Sequence, residues 1–397
     1  MTRPKIPYMK LSIIIANFNY RNFVGGAIES ALTIDWPDKE VIVVDDASTD
    51  DSRSIIEGFG GRIAAYFRPK SHQLGAHTFG FEQSAGDVVI FLDADDLLEP
   101  QVMQEVAKVW RPGVSKVQYR MNLIDATGAE LGSAIPQFPS KDDPERLRRT
   151  FLRTMAYATP PGSGNAYSRD FVRDVFAFCP TIPQSDAALL TLAPLLGDVL
   201  TIQKPLARYR SHGGSYGGMQ SLDALKLRKQ LHQDVEKVQL FLKATRQLRM
   251  PVSPDPLRHS LNHLQYRLAS YLIETSAHPF HEDTLSGLVY RLISSAIRSS
   301  QIRSRDRAIL VAWTIACVVS PPGFRRNFVQ WRFAPTSRPQ VVKTLLGTLS
   351  SLRSPRLPDQ ARTAPGSEER FEQEKNKRTH SRREGTREVT MARTPRT

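Results

Sequence analysis

The stretch from Asp87 to Asp96 constrains this chain more than any other. Val88 to Leu92 is a continuous apolar run rich in β-branched and aromatic residues. Such a run fits a strand buried on both faces, as in a parallel sheet. It stops in three carboxylates within four residues, Asp93, Asp95 and Asp96. Burying those charges unpaired would be prohibitive, so they belong at the open end of the strand, facing a ligand or a cation. Asp93 and Asp95 are two apart and, in an extended backbone, point the same way. Paired carboxylates of this kind can hold a hard divalent ion. The alternative is an acidic loop capping a helix that starts near Pro100.

The flanking chain repeats the pattern. Leu11 to Ile15 is an apolar strand followed by the polar turn Ala16 to Tyr20, and Phe23, Val24, Ala27, Ile28, Ala31 and Leu32 recur at helical spacing. Val41 to Val44 is a second strand, ending in Asp45 to Asp50. Ser48, Thr49 and Asp50 are good caps for a helix carrying Ile55 and Ile56. Ile63 to Phe67 is a third strand, and a loop from Arg68 to Gly75 precedes a helix reaching Ser84. Strand and helix in alternation predict a doubly wound α/β sheet with ligands at the carboxyl ends of its strands. Asn17, Asp46 and Asp95 all fall there.

Further along, Val102 to Trp110 carries one apolar helical face, and Val114 to Leu123 reads as a strand closed by an Asp125 to Gly128 hairpin turn. A Pro/Gly-rich loop, Thr159 to Tyr167, enters a helix from Ser168 to Phe178. Asp186 opens a helical run through Leu196, Val199 to Ile202 is a short strand, and Tyr209 to Ser215 is a flexible loop.

Four pieces stand in order: Ser12 to Asn19, Val43 to Asp50, Gly86 to Asp96 and Tyr209 to Gly214. Together they resemble the family 2 glycosyltransferases of the GT-A fold, over roughly the first half of the chain. The resemblance implies a Rossmann-like, mostly parallel central sheet flanked by helices, and an inverting enzyme with a nucleotide-sugar donor, a UDP-sugar in many relatives. It implies that Asn17 lines the nucleotide pocket and that Asp46 accepts a hydrogen bond from the base. Asp93 and Asp95 fill the DxD positions. Asp95 would bind Mg²⁺ or Mn²⁺ bridging the diphosphate, with Asp93 nearer the ribose. His212 stands where relatives place a histidine near the metal, and a neutral imidazole suits Mn²⁺ better than Mg²⁺; the alternative is a surface-loop histidine.

By the same resemblance the catalytic base falls on Asp186, where relatives carry Glu-Asp and this chain has Ser185-Asp186. The chemistry needs one carboxylate that can take a proton from the acceptor hydroxyl; the bland reading is a helix cap. In Gly162 to Asn165, glycines allow close backbone approach, while Ser163 and Asn165 offer hydrogen bonds to sugar hydroxyls. Gly164 and Asn165 are therefore expected donor-site residues, or else parts of a loop leading into a helix. The segment Ser71 to Gly80 departs from the family pattern of Asn-x-Gly followed by a polar pair. That departure keeps a non-catalytic nucleotide-sugar-binding scaffold as the alternative function.

The rest of the 397 residues divides by composition. The transferase domain is expected over 1–219, a charged helical region over 220–350 and a disordered basic tail over 351–397. Arginines flank the apolar segment Ala308 to Val319, which is too short to span a bilayer. It reads equally as a helix on an anionic membrane surface or as a buried helix of the appendage. The two cysteines, Cys179 and Cys317, have no metal-type spacing and fit a reducing compartment. No secretory signal is evident, so a cytoplasmic enzyme is expected, peripheral on the inner face of the membrane, acting on a glycan or lipid-linked acceptor. The net charge of +14 suits an anionic partner, but no nucleic-acid motif accompanies it. Ala16-Asn17-Phe18-Asn19 stands where a dinucleotide-dependent oxidoreductase would carry a glycine fingerprint, which argues strongly against that class.

Overall fold

The structure is a computed structural model that describes residues 9–139, 143–179, 185–212, 224–299, 302, 304–333, 338–342 and 344. The expected tail at 351–397 and most of the loop after His212 lie outside the described residues. Residues 1–337 belong to one compact unit and 338–397 to a second.

The first half alternates strand and helix: β1 (Leu11–Asn17), α1 (Val24–Leu32), β2 (Lys39–Asp46), α2 (Ser52–Glu57), β3 (Ala64–Arg68), α3 (His72–Glu82) and β4 (Val88–Asp93). Then come β5 (Leu97–Leu98), α4 (Val102–Val109), β6 (Val114–Ile124), β7 (Glu130–Ile135), α5 (Pro144–Thr154), β8 (Asn165–Ser168), α6 (Arg169–Phe178), α7 (Ser185–Leu196) and β9 (Asp198–Arg210). The helical region holds α8 (Ala224–Gln247), α9 (Leu261–Ile273), α10 (Leu285–Arg298), α11 (Ser304–Val319) and α12 (Pro322–Phe333).

The strands form one sheet in the order β3-β2-β1-β4-β8-β6-β9-β5, with β7 paired to β6. β3, β2, β1 and β4 run parallel, as the apolar runs require. Beyond β4 the sheet is mixed: β8 is antiparallel to β4 and β6, while β9 returns parallel to β6. The expected α/β architecture of a central sheet flanked by helices holds, with parallel ladders β3-β2-β1-β4 and β6–β9 set in a mixed sheet. Successive side chains of the parallel strands enter opposite cores. Ile13, Ile15, Val43, Ile90 and Leu92 pack with α1 and α4, and Ile14, Ile42, Val44, Val89 and Phe91 pack with α3, α6 and α7. That two-sided burial is why the runs lack polar alternation.

Two boundaries differ from the sequence reading. α3 starts at His72, inside the expected loop, because Ser71 is held by Asp46: the Ser71 amide and hydroxyl both donate to Asp46 Oδ1, at 2.6 and 2.8 Å. Gly75 and Gly80 weaken the helix signal, but Gly80 is where the helix meets the sheet, since a Cβ there would lie 2.5 Å from Ile14 Cγ2. Tyr209 and Arg210, expected in a flexible loop, instead end the long strand β9, opposite Leu123 and Ile124 of β6.

The apolar segment of α11 puts Leu310, Trp313 and Cys317 into a third core with α9, α10 and α12. It leaves Ile315 and Val319 exposed. Among the described residues no helix is long and apolar enough to cross a membrane. The helix α8 joins two cores. Leu227 belongs to the third core, while Leu240, Phe241 and Ala244 belong to the second, beneath the sheet.

Candidate active site

The strand order turns back at β1: β2 lies on one side of it and β4 on the other, so the carboxyl ends of these strands open a crevice. The crevice widens into a cleft of about 1720 Å³ that includes Asn17, Asp46, Asp93, Asp95 and Asp186 among its lining residues.

Asn17 is buried at the end of β1. Its Nδ2 donates to Asp45 Oδ2 at 2.8 Å and to Ser48 Oγ at 3.0 Å. Among the described residues its buried Oδ1 has no partner. An orphaned acceptor at a cleft wall is costly unless a ligand donates to it, so Asn17 Oδ1 is placed to accept from a ligand in the cleft. Asp46 differs from the expectation of a carboxylate open to the base. Ser71 occupies Oδ1, and Lys70 Nζ stands 3.1 Å from Oδ2.

At the end of β4 four carboxylates crowd together. Asp93 is pushed well above the ordinary carboxylate range by burial, then by the charges of Asp186, Asp96 and Asp95. Asp96 is pushed up to about 8 by burial and by Asp95. Burial, then the charges of Asp95, Asp93 and Asp96, raise the Tyr20 hydroxyl to about 12. His212 Nε2 lies 2.9 Å from Asp95 Oδ2, its ring beside Phe23. Among the described residues no three His, Cys, Asp or Glu side chains close into a ready metal cage. The donors nonetheless suit a divalent ion: two strand-end carboxylates and one imidazole, with like charges that a cation would relieve.

Asp96 is a brace. Its Oδ2 accepts from Ser163 Oγ at 2.7 Å and its Oδ1 from the Arg210 amide at 2.9 Å. The Ser163 hydroxyl also accepts from the Asp93 amide at 3.0 Å. One serine thereby fixes the 162–164 loop to the acidic strand end, a role invisible in sequence. The glycine facing the cleft is Gly162: a Cβ on it would stand 2.7 Å from Asp186 Oδ2. Gly164 is instead packed against Pro160 and Met121. Asn165 is buried, and its Nδ2 donates to the carbonyls of Pro161 and Gly162 at 2.8 and 3.1 Å. Neither is among the residues lining the cleft, although Asn165 Oδ1, like Asn17 Oδ1, is buried with no partner among the described residues.

Asp186 stands in the first turn of α7 and lines the cleft. Burial raises its carboxyl to about 6, against the pull of Lys116. Lys116 is fully buried, and its Nζ donates to Tyr157 Oη at 3.0 Å and to Thr159 Oγ1 at 2.9 Å. The Tyr157 hydroxyl donates in turn to the Leu190 carbonyl of α7 at 2.8 Å. The helix that carries Asp186 and the buried lysine are thus tied through one tyrosine. Nothing in the sequence pairs residue 116 with residue 186.

Residues 12–176 match the glycosyl transferase family 2 model. An uncharacterized glycosyltransferase of Nostoc sp. is 35% identical over 215 residues, 52% of this chain and 66% of the relative. The stretch 12–176 is a glycosyl transferase family 2 domain. A second relative is the GalNAc(5)-diNAcBac-PP-undecaprenol beta-1,3-glucosyltransferase of Campylobacter jejuni, 37% identical over 22% of this chain and 30% of the relative. Neither alignment reaches two thirds of the relative's length. Superposed on the mannosyltransferase PcManGT of Pyrobaculum calidifontis, solved with GDP-Man and Mn²⁺, this chain gives a TM-score of 0.46. The identity is 16%, over 87% of this chain and 90% of the other. A likeness that slight transfers no residue roles.

Proposed function

We propose that this chain is an inverting, metal-dependent transferase. It moves a sugar from a nucleotide-diphosphate donor, a UDP-sugar by preference, to a hydroxyl of a glycan or lipid-linked acceptor. The observation that carries the reading is Asp186: a half-buried carboxylate, raised to about 6 by desolvation, lines the same cleft as the Asp93–Asp95 pair. A group with that pKa is ionised at neutral pH yet basic enough to take a proton.

In this reading Asp186 accepts the proton of the acceptor hydroxyl as its oxygen attacks the anomeric carbon. The bond from that carbon to the diphosphate breaks in the same displacement, so the configuration inverts and no covalent intermediate forms. Asp95 and His212, with Asp93 alongside, would hold Mg²⁺ or Mn²⁺, which supplies charge neutralisation to the departing diphosphate. Asn17 Oδ1 orients the nucleoside. Asp46 lines the cleft with acceptor capacity left on Oδ2, which Lys70 alone approaches, so it can take a hydrogen bond from the base while Ser71 stays on Oδ1. The Campylobacter relative is named for a diphosphate-linked lipid acceptor, which supports an acceptor of that class here.

The transferase core at 1–219, the helical region at 220–350 and the tail at 351–397 belong to the same proposal. So does a peripheral place on the cytoplasmic membrane face, supported by exposed Tyr290, Ile297, Ile315, Val319 and Phe324 among arginines. Flotation with anionic liposomes tests that part; protein left in the pellet at low salt would count against it.

The deciding experiment is Mn²⁺-dependent hydrolysis of a panel of nucleotide sugars by the purified chain, beside Asp95→Ala and Asp186→Asn. Slow release of one nucleoside diphosphate, lost in Asp95→Ala, is expected. No release from any donor, with no metal-dependent binding of UDP or GDP, would overturn the reading.

A further inference from the structure

The cleft is larger than one ligand needs. Pockets for small molecules and cofactors run about 300–1,000 Å³, and this one is about 1720 Å³. The surplus is bounded by α8, whose residues enter the lining at steps of three and four from 225 to 243. That spacing is one face of one helix.

The lining face is basic. It carries Arg228, Lys229, His232, Lys237 and Lys243, with Glu236 as its acid. From Arg228 to Lys243 the stripe extends about 22 Å at the rise of an α-helix. The helix's own Asp234 does not neutralise it, because Asp234 Oδ2 takes His263 Nδ1 at 2.9 Å. Among the described residues no carboxylate pairs with Arg228 or Lys237. Charged helix faces are usually just solvated. This one cannot roll away from the cleft, because Leu227 anchors one end in the third core and Leu240 and Phe241 anchor the other in the second.

The cleft therefore holds charge of two signs: carboxylates at the strand ends and cations along α8. The donor's diphosphate belongs with a metal at the carboxylates, so the cationic wall serves a different anion. We propose that the cleft face of α8 is an acceptor subsite that takes a phosphate or diphosphate group on the acceptor. This rests on the transferase reading and adds the acceptor's chemistry to it. Two sources carry that chemistry, a lipid-linked diphosphate sugar and a polyol-phosphate chain.

The test uses the full chain and the double variant Arg228→Gln/Lys237→Gln. The probes are a short prenyl-diphosphate sugar and a polyol-phosphate oligomer, each beside its dephosphorylated counterpart. Affinities are measured by calorimetry at two salt concentrations, with UDP plus Mn²⁺ as the reference ligand. Both changed side chains are at the cleft surface, and a thermal melt verifies folding.

At least one phosphate probe should bind the wild type more tightly than its dephosphorylated form. Its affinity relative to UDP should fall about tenfold in the variant, as for the loss of two charge contacts. Which probe responds identifies the source. Equal binding of phosphorylated and dephosphorylated probes would overturn the proposal. So would an unchanged ratio, or a parallel loss of UDP affinity, which would assign the stripe to the donor. Absence of metal-dependent UDP or GDP binding by the wild type is a separate outcome. It fails the transferase reading, and with it the acceptor role, even where phosphate binding by the stripe persists.

Discussion

Replacing Gly162 with alanine tests the position of Asp186 without touching its chemistry. The new Cβ would stand 2.7 Å from Oδ2 and 3.2 Å from both Oδ1 and Cγ of Asp186. The carboxylate must retreat by roughly 0.7 Å to reach ordinary contact. A displacement of ~1 Å costs a reaction about 100-fold. Scaled to that retreat, the loss is about 25-fold in kcat, or ~1.9 kcal/mol of barrier. Transfer, or hydrolysis of the donor that the panel identifies, should fall by about that factor, while calorimetry shows UDP affinity held. Gly164→Ala is the contrast. Its Cβ would meet Pro160 Cβ at 2.5 Å, Pro160 Cγ at 2.6 Å and Met121 Sδ at 3.0 Å. That is overpacking away from the cleft, costing about 1–3 kcal/mol of stability and visible as a lower Tm. A Gly162→Ala protein at wild-type kcat would refute the reasoning. So would one whose rate loss is matched by lost UDP affinity.

Three further outcomes follow from the same contacts. The pH–rate profile should rise through about 6, the position of Asp186, because the protonated carboxyl cannot act as base below it; a rate flat across that range would count against Asp186 as the base. Asp96→Asn keeps an acceptor for the Arg210 amide and should lower the denaturation midpoint less than Asp96→Leu, which orphans that amide and the Ser163 hydroxyl and should cost about 2–3 kcal/mol; equal losses would count against a bracing role. In the helical region, Asp283 receives Arg267 Nε at 2.6 Å, Arg291 at 2.8 Å and His278 Nε2 at 3.0 Å; Asp283→Ala strips buried Arg267 of its main partner and should cost about 3–5 kcal/mol in urea unfolding.

That cluster also sets a direction with acid. Burial alone would raise Asp283, but the hydrogen bonds from His278 and Arg267 and the charges of Arg267 and Arg291 outweigh it and hold the carboxyl down at about 2. A carboxyl lowered by folding adds stability that is complete above its unfolded value near 4, and that stability is lost as pH falls toward 2.

The parts of the fold readable from sequence were those with a period. The parallel strands could be read because Val41–Val44 and Val88–Leu92 are apolar on both faces, which only a covered sheet permits. The meeting of Asn17, Asp46 and Asp93 followed from where those runs stop. Features made by single long-range bonds left no such trace. The start of α3 depends on Asp46 reaching Ser71, 25 positions away. Gly162 and Gly164 look alike in a Pro/Gly-rich loop, and only the approach of α7 separates the one facing a carboxylate from the one facing a proline. The cleft wall on α8 was hidden for a similar reason: a charged helix declares its apolar anchors, not what its polar side overlooks.

The sharing of α8 between two cores has a consequence for how such a chain can be cut or altered. The composition changes near residue 219, yet a chain ending there would lose Leu240, Phe241 and Ala244 from the packing beneath the sheet and the basic boundary of the cleft with them. What remained would be a catalytic floor without its far side. Conversely, changes confined to the outward-facing turns of one helix could retune what the cleft admits while every strand-end carboxylate stayed in place. The helix works as a hinge post common to two rooms: it cannot be carried off with either, and repainting one side of it changes only the room that side faces.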